Sequence, residues 1–302
     1  MKLYVIIVTY NGRKWYDKCF GSVRNSSVPA QAIVIDNASS DDTVSYIKEN
    51  YPEIHLVESN KNLGFGKANN IGIKYALEHG ADYVYLLNQD AWVYPKTFET
   101  LIKVSVKNPD YGIISPMQIT ANEDKFDKKF STCCSTPSCE NLIDDLYFNT
   151  VQEVYEIRNV MAAHWLITKA SLLFIGGFSP VFFHYGEDYN LIDRMRYHGF
   201  KCGICPLTTG VHDRELRKTT KRKSMYMYYI DTLIRSSNIN MSGRARMKSI
   251  FISIIYFMIA VYRYRSISPI IYFFKWLCLT PKIIKYNCKT KRKRIFFDTF
   301  ES

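Results

Sequence analysis

Residues 83–95 read YVYLLNQDAWVYP, an apolar run that halts at Asn88-Gln89-Asp90 and then resumes. Val84, Leu86 and Leu87, set among uncharged aromatics, have the character of a strand buried on both faces. A carboxylate at the end of such a strand either caps a turn or meets a ligand, and this stretch alone leaves both readings open.

The neighbouring sequence repeats the pattern. LYVIIV (3–8) ends in Thr9, Tyr10, Asn11 and Gly12, and Trp15 to Arg24 then carries apolar residues at helical spacing. AIVID ends at Asp36 and Asn37, with Ser39, Ser40, Asp41 and Asp42 as capping residues ahead of TVSYIKEN. IHLVESN is a third strand, and NLGFGKANNIGIKYALEHG is a glycine-bearing loop running into a helix that stops at Gly80. Strand and helix thus alternate from residue 3 to about 107, which predicts an α/β fold with a mostly parallel sheet and covering helices. Ligands bind such sheets beyond the carboxyl ends of the strands, where Thr9, Tyr10, Asn11, Asp36, Asn37, Asn88 and Asp90 all fall. Gly64 and Gly66 do not make a dinucleotide fingerprint, because the third glycine is missing and the loop follows the third strand rather than the first.

Between 119 and 157 the pattern weakens into a polar, turn-rich loop. Order returns with VMAAHWLITKASLLFIGGF, a strand, a helix and a Gly176-Gly177-Phe178 turn. A helix from about Tyr189 to His198 and a further strand ending at His212-Asp213 follow. Glu187 and Asp188 lead that helix. Acids there suit a helix dipole, and a carboxylate against the aromatic approach FSPVFFHYG also suits general-base work. Asp90 with His212 makes an incomplete shell for a divalent cation, to be completed by phosphate oxygens and water. Trp165, Phe183, His184 and Tyr185 lie in apolar runs, where core packing is the first expectation and sugar stacking the second.

The chain has 302 residues, 47% of them hydrophobic, enough for one large α/β domain with an appendage. Its net charge of +12 is unevenly spread: residues 1–213 hold 20 Lys and Arg against 24 Asp and Glu, while 214–302 hold 20 against 4. Such a tail seeks phosphates, of nucleic acid or of anionic lipid. The amino-terminal apolar run is too short for a signal core and lacks a cleavage site, so the eight cysteines are expected as free thiols. Cys202-Gly-Ile-Cys205 lacks the second pair a zinc site needs.

Six segments, VIIVTYNG, AIVIDNASSDDT, NKNLGFGKANNIGI, YLLNQDAWV, IGGFSPVFFHYGEDYNLIDRMRYHGF and GVHDRE, occur in order over residues 3 to about 215. Together they resemble the inverting, nucleotide-sugar-dependent glycosyltransferases of family 2, with the GT-A fold, and most of all rhamnosyltransferase-type members. The resemblance implies that Thr9, Tyr10 and Asn11 line a nucleotide pocket, that Asp36 accepts from the imide of a uracil or thymine, and that Asn37 and Ser39 meet base or ribose. It puts Asn69 and Asn70 at nucleotide contacts and Asn88-Gln89-Asp90 at the family's Asp-x-Asp motif. Asp90, with His212, would hold Mg²⁺ or Mn²⁺ on the diphosphate, and the neutral Asn88 leaves that shell one charge short of many relatives. Asp188 corresponds to the catalytic base, with Glu187 orienting the site or binding the acceptor.

The expected organisation is a catalytic domain over 1–215, with a nucleotide-sugar-binding half (1–118), a variable loop (119–157) and an acceptor half (158–215). A basic helical tail over 216–302 follows. The apolar run 249–262 is shorter than the roughly 20 residues that span a bilayer, so two short apolar helices at an anionic membrane surface are expected, with packing on the catalytic domain or on a second copy, as a homodimer, the alternative. The resemblance and the tail imply transfer from dTDP-rhamnose or a UDP-sugar to a glycan acceptor, lipid-linked, in bacterial surface polysaccharide assembly on the cytoplasmic face of the inner membrane. The rivals are a nucleotidyltransferase, which would want a Gly-rich basic loop where TYNGRKW stands, and a nucleic-acid-binding protein using KRK (221–223) and KTKRKR (289–294). No nucleic-acid motif supports the latter, and no nucleic-acid partner is expected.

Overall fold

The computed structural model describes residues 1–135, 137–214 and 220–292. The junction read at 215–216 and the end of the 289–294 basic run lie outside the described residues. The first half alternates as its sequence predicts: β1 (Leu3–Thr9), α1 (Tyr16–Arg24), β2 (Ala30–Asp36), α2 (Thr43–Asn50), β3 (His55–Glu58), α3 (Phe65–Glu78) and β4 (Tyr83–Asn88). Then come β5 (Ala91–Val93), α4 (Thr97–Lys107), β6 (Tyr111–Ile119), α5 (Lys128–Cys133), α6 (Leu142–Phe148), β7 (Tyr155–Glu156), β8 (His164–Thr168), α7 (Lys169–Ile175), α8 (Glu187–Tyr197) and β9 (Lys201–His212).

The strands form one sheet in the order β3-β2-β1-β4-β8-β6-β9-β5, with β7 paired to β9. Pairing is parallel across β3, β2, β1 and β4, and again between β6 and β9. The pairs β4–β8, β6–β8, β5–β9 and β7–β9 are antiparallel, so the sheet becomes mixed beyond β4. The alternation that predicts parallel strands ends at α4, which is why the sequence carries no sign of the change. Segment 119–157, read as a loop, contains α5, α6 and the edge strand β7.

Period-two alternation along β1 sends Tyr4 and Ile6 to one face and Leu3, Val5 and Ile7 to the other. The first face packs with Ala68 and Ala76 of α3, Leu172 of α7 and Leu191 of α8. The second packs with Tyr16 and Phe20 of α1, Ile47 of α2, and Phe98 and Leu101 of α4. Burial on both faces explains the unbroken apolar strands. Parallel register aligns the strand ends, with Thr9 opposite Asp36 and Val8 opposite Asn88.

The tail folds as three helices, α9 (Lys221–Ser237), α10 (Gly243–Tyr264) and α11 (Ser268–Thr290). This corrects the reading of two short apolar helices: α10 has 22 residues and α11 has 23. The polar first turns over 243–248, capped by Ser242, and Arg263 extend the apolar run at both ends of α10, making it long and apolar enough to cross a bilayer by length and composition. A third apolar cluster ties these helices to the body: Tyr229, Ile230 and Leu233 of α9, Phe257 of α10, and Trp276 and Ile283 of α11 pack around Phe182.

Candidate active site

At the tip of β2 the buried Asp36 carboxylate accepts from the Thr9 hydroxyl (3.2 Å) and from both the backbone N–H (3.0 Å) and hydroxyl of Ser39. Of the roughly four acceptor positions of a carboxylate, one is left, on Oδ2. Thr9 and Ser39 therefore orient Asp36, and the Ser39 hydroxyl also accepts from the Asn11 N–H at 3.0 Å. Asn11 holds a positive φ of 49°, and its side-chain oxygen accepts from the Ser40 N–H (2.8 Å). Ser39 and Ser40, expected as helix caps, serve this loop instead, while Asp41 accepts from the Thr43 N–H. Asn37 is buried, donating to Asn62 Oδ1 (3.0 Å) and accepting from the Leu63 N–H (2.7 Å).

Tyr10 is exposed, and the Gln89 side chain clamps its backbone by accepting from its N–H (2.8 Å) and donating to its carbonyl (3.2 Å). Asn88 ends β4 half-buried, its N–H donating to the Ala163 carbonyl at 3.1 Å.

Asn69 and Asn70 are both buried in α3. Asn69 donates to the Phe65 carbonyl of its own helix (2.9 Å). Asn70 accepts from the Phe178 N–H (2.7 Å) and donates to the Phe178 carbonyl (2.9 Å). Both ends of its amide are thereby committed to the Gly-Gly-Phe turn, so the structure makes Asn70 a strut where the resemblance implies a nucleotide contact. A Cβ at Gly177 would lie 2.2 Å from Asn70 Oδ1, so glycine is required for the fit.

β5 pairs antiparallel with β9, placing Ala91 opposite His212 and so bringing Asp90 beside the imidazole. His212 is 3% exposed, and its Nε2 lies 3.5 Å from Asp90 Oδ1. Its other nitrogen faces Asp127 Oδ2 at 3.9 Å and Arg214 Nη2 at 3.4 Å. Asp127, at the start of α5, accepts from the N–H groups of Lys129 (2.9 Å) and Phe130 (3.0 Å), and its second oxygen accepts from Arg214 Nε (3.0 Å). Burial by itself would raise this carboxyl's pKa, but the Phe130 N–H and the Arg214 guanidinium outweigh it and hold the pKa below the usual range. Asp213 accepts from the Trp15 indole (3.0 Å).

Among the described residues no group of three or more His, Cys, Asp or Glu forms a cation site. Asp90 and His212 nevertheless offer one oxygen and one nitrogen donor 3.5 Å apart, a set that suits Mg²⁺ or Mn²⁺ when phosphate oxygens and water supply the rest. Cys202 and Cys205 are buried thiols with pKa values pushed up by burial, to about 12 and about 11, as expected of core residues.

Glu187 and Asp188 open α8 after Tyr185 (φ 70°) and Gly186 (φ 90°), a left-handed pair that turns the chain sharply into the helix. Glu187 is buried, and its Oε2 finds no hydrogen-bond partner among the described residues. Desolvation, then the neighbouring Asp188 charge, pushes its pKa up to about 8. Asp188 is half-buried and accepts from the Tyr189 N–H at 2.9 Å. Desolvation raises its pKa too, opposed by the positive charges of Lys129 and Arg214. Those two cations link Asp188 with Asp127 and His212 in one charge network. Trp165 is core, stacked on Phe178, whereas Phe183 is exposed.

Sequence reading misses Asp127, Lys129, Arg214 and Gln89. Asp127 precedes a short helix, which is an N-cap signal, but no pattern in the 119–157 segment points it at the strand ends. Arg214 lies inside the quoted GVHDRE without an assigned role.

Residues 4–172 are matched by the family model described as Glycosyl transferase family 2. The chain is 23% identical over 240 residues to the low-salt glycan biosynthesis hexosyltransferase Agl10 of Haloferax volcanii, covering 76% of this chain and 72% of that one. It is 22% identical over 260 residues to the N-acetylglucosaminyl-diphospho-decaprenol L-rhamnosyltransferase of Mycobacterium tuberculosis, covering 75% and 83%. Among solved structures, S. aureus TarS 1–349 in complex with UDP superposes with a TM-score of 0.56 at 13% identity, over 83% of this chain and 70% of that one. GalNAc-T7 with UDP, GalNAc and Mn²⁺ gives 0.59 at 14% identity, over 78% and 50%. These structural likenesses establish the GT-A type of fold.

Proposed function

The chain belongs to glycosyl transferase family 2 and is a hexosyltransferase-type enzyme, and from that premise we propose that it transfers a sugar, with inversion, from dTDP-rhamnose or a UDP-hexose to a hydroxyl of a lipid-linked saccharide. The observation that carries this reading is the single charge network running from Asp90 and His212, through Asp127, Arg214 and Lys129, to Asp188.

In this reading Asp36, fixed by Thr9 and Ser39, receives the base of the donor in its remaining acceptor position, and Tyr10, Asn11, Asn37 and Asn88 border the nucleoside. Asp90 and His212 would hold Mg²⁺ or Mn²⁺, which when bound supplies positive charge to the diphosphate. Asp188 takes the proton of the acceptor hydroxyl as that oxygen bonds to the anomeric carbon, and the bond from that carbon to the diphosphate oxygen breaks with its electrons leaving on the nucleoside diphosphate. One displacement inverts the anomeric centre. Glu187, kept protonated by burial, leaves Asp188 the ionised member of the pair. Lys129 and Arg214 favour that ionised form.

The rhamnosyltransferase relative supports dTDP-rhamnose, and its decaprenol-linked acceptor supports a polyprenyl diphosphate saccharide, used in bacterial surface polysaccharide synthesis at the cytoplasmic face of the inner membrane. The test is to offer dTDP-rhamnose and UDP-hexoses with a short-chain prenyl diphosphate N-acetylhexosamine and to read the product's anomeric configuration by NMR. An inverted glycoside is expected. Retention, or no transfer from any of these donors, contradicts the proposal.

A further inference from the structure

From Gly243 to Arg292 the chain holds eleven Lys and Arg and no Asp or Glu. Within this segment α10 buries Ser249, Ser253, Phe257 and Ala260, one face at helical spacing. Its opposite face leaves Met247, Phe251, Ile255, Met258, Ile259 and Tyr262 exposed, Tyr262 to 88%. Arg244 and Lys248 stand at one end of that face and Arg263 and Arg265 at the other. α11 repeats the arrangement: Trp276, Ile283 and Asn287 are buried, while Ile270, Ile271, Phe274, Leu277 and Ile284 are exposed beside Lys275 and Lys282.

We infer that the outward faces of α10 and α11 form a seat for an anionic lipid leaflet, with both helices lying in the plane of its surface. Apolar side chains enter the acyl boundary while flanking Lys and Arg meet lipid phosphates. Charge decides the occupant. A second copy would bring the same basic face against this one, whereas an anionic leaflet supplies the missing negative charge. Charge also decides the orientation, although α10 has the length and composition to cross a bilayer. Its buried face packs along α9 and α11, and a crossing helix would draw Asp231 and Arg235 of α9, or Lys275 and Lys282 of α11, into the hydrocarbon.

The seat is joined to the candidate catalytic loop. Phe182 lies under α9 and α11, and a Cβ on Gly186 would meet Phe182 at 2.9 Å and Ile234 of α9 at 3.0 Å. The leaflet that holds a lipid-linked acceptor thus supports the helices on which the Glu187-Asp188 turn rests.

The experiment is flotation of the full chain with vesicles of phosphatidylcholine alone and of phosphatidylcholine with about 30% phosphatidylglycerol. It compares wild type, Phe251→Glu/Met258→Glu and Lys275→Glu/Lys282→Glu, with thermal melts to confirm folding. Wild type is expected to bind the anionic vesicles at least about tenfold better than the neutral ones, to be released by about 0.5 M salt, and to lose about tenfold in each variant. No flotation with either vesicle, or variants that bind like wild type, overturns the inference. A dimer that Phe251→Glu/Met258→Glu splits, without any vesicle binding, assigns the face to a second copy. Resistance to alkaline carbonate extraction overturns the in-plane arrangement. Vesicle binding is read without any sugar transfer, so failure of the proposed reaction and failure of this seat are separate results.

Discussion

Asp127 Oδ2 faces the Nδ1 edge of His212 at 3.9 Å, while Asp90 faces the Nε2 edge at 3.5 Å. A proton held on the Asp127 side leaves the lone pair on the Asp90 side, the arrangement by which a second carboxylate orients a metal-binding histidine. Asp127→Asn is therefore expected to weaken Mn²⁺ binding in the presence of nucleoside diphosphate by about 10- to 100-fold. Mn²⁺ titration by electron paramagnetic resonance measures it, and an unchanged affinity would show that Asp127 serves α5 alone.

Asp188 is the proton acceptor of the proposed displacement. Asp188→Asn is expected to lower kcat by about 10²- to 10⁴-fold while nucleotide affinity stays within about twofold. A variant that transfers sugar at the wild-type rate would remove Asp188 from the reaction.

Glu187 is protonated in the folded protein up to a pKa of about 8, against 4.5 for an ordinary glutamate. Between those values the folded chain therefore holds a proton that the unfolded chain has released. Stability from this group is complete below pH 4.5 and lost as pH rises toward 8, at ~1 kcal/mol per pH unit. Asp188 and Asp193, raised in the same sense, add to the slope. In Glu187→Gln the decline should be shallower by that amount, read from urea midpoints at about pH 5 and about pH 8. Parallel pH dependences in the two proteins would mean that Glu187 ionises freely in the fold.

Asn70→Ala leaves the N–H and carbonyl of Phe178 without their partner in a buried place, which costs about 2–4 kcal/mol. Because the turn it braces leads to Asp188, kcat should fall alongside stability while nucleotide binding persists. Loss of nucleotide binding with stability intact would restore the role that the resemblance implies for Asn70.

The legible part of the molecule is the part governed by local rules. Strand and helix alternate along residues 3–107 because both faces of β1, β2 and β4 are covered, and the polar tips at Thr9, Asp36 and Asp90 stand out against that background. Long-range choices are less visible. The antiparallel pairing of β5 with β9 that sets His212 beside Asp90 leaves no mark in either strand. Asp127 and Lys129 sit in a segment whose composition indicates only a loop. The family position points Asn70 at the nucleotide, whereas its partner is a backbone more than a hundred residues away. Sequence reading also shortens α10 by treating the charged residues at its ends as boundaries, although Lys and Arg extend helices readily.

The most direct measurement is calorimetric titration of dTDP and UDP, with and without Mn²⁺, into wild type, Asp36→Ala and Asp90→Ala. The account predicts nucleotide binding that Mn²⁺ strengthens, that Asp36→Ala weakens with or without the ion, and that in Asp90→Ala no longer responds to it. Failure of both nucleotides to bind wild type, or Asp36→Ala binding as wild type does, would contradict the donor site on which the proposed transfer depends.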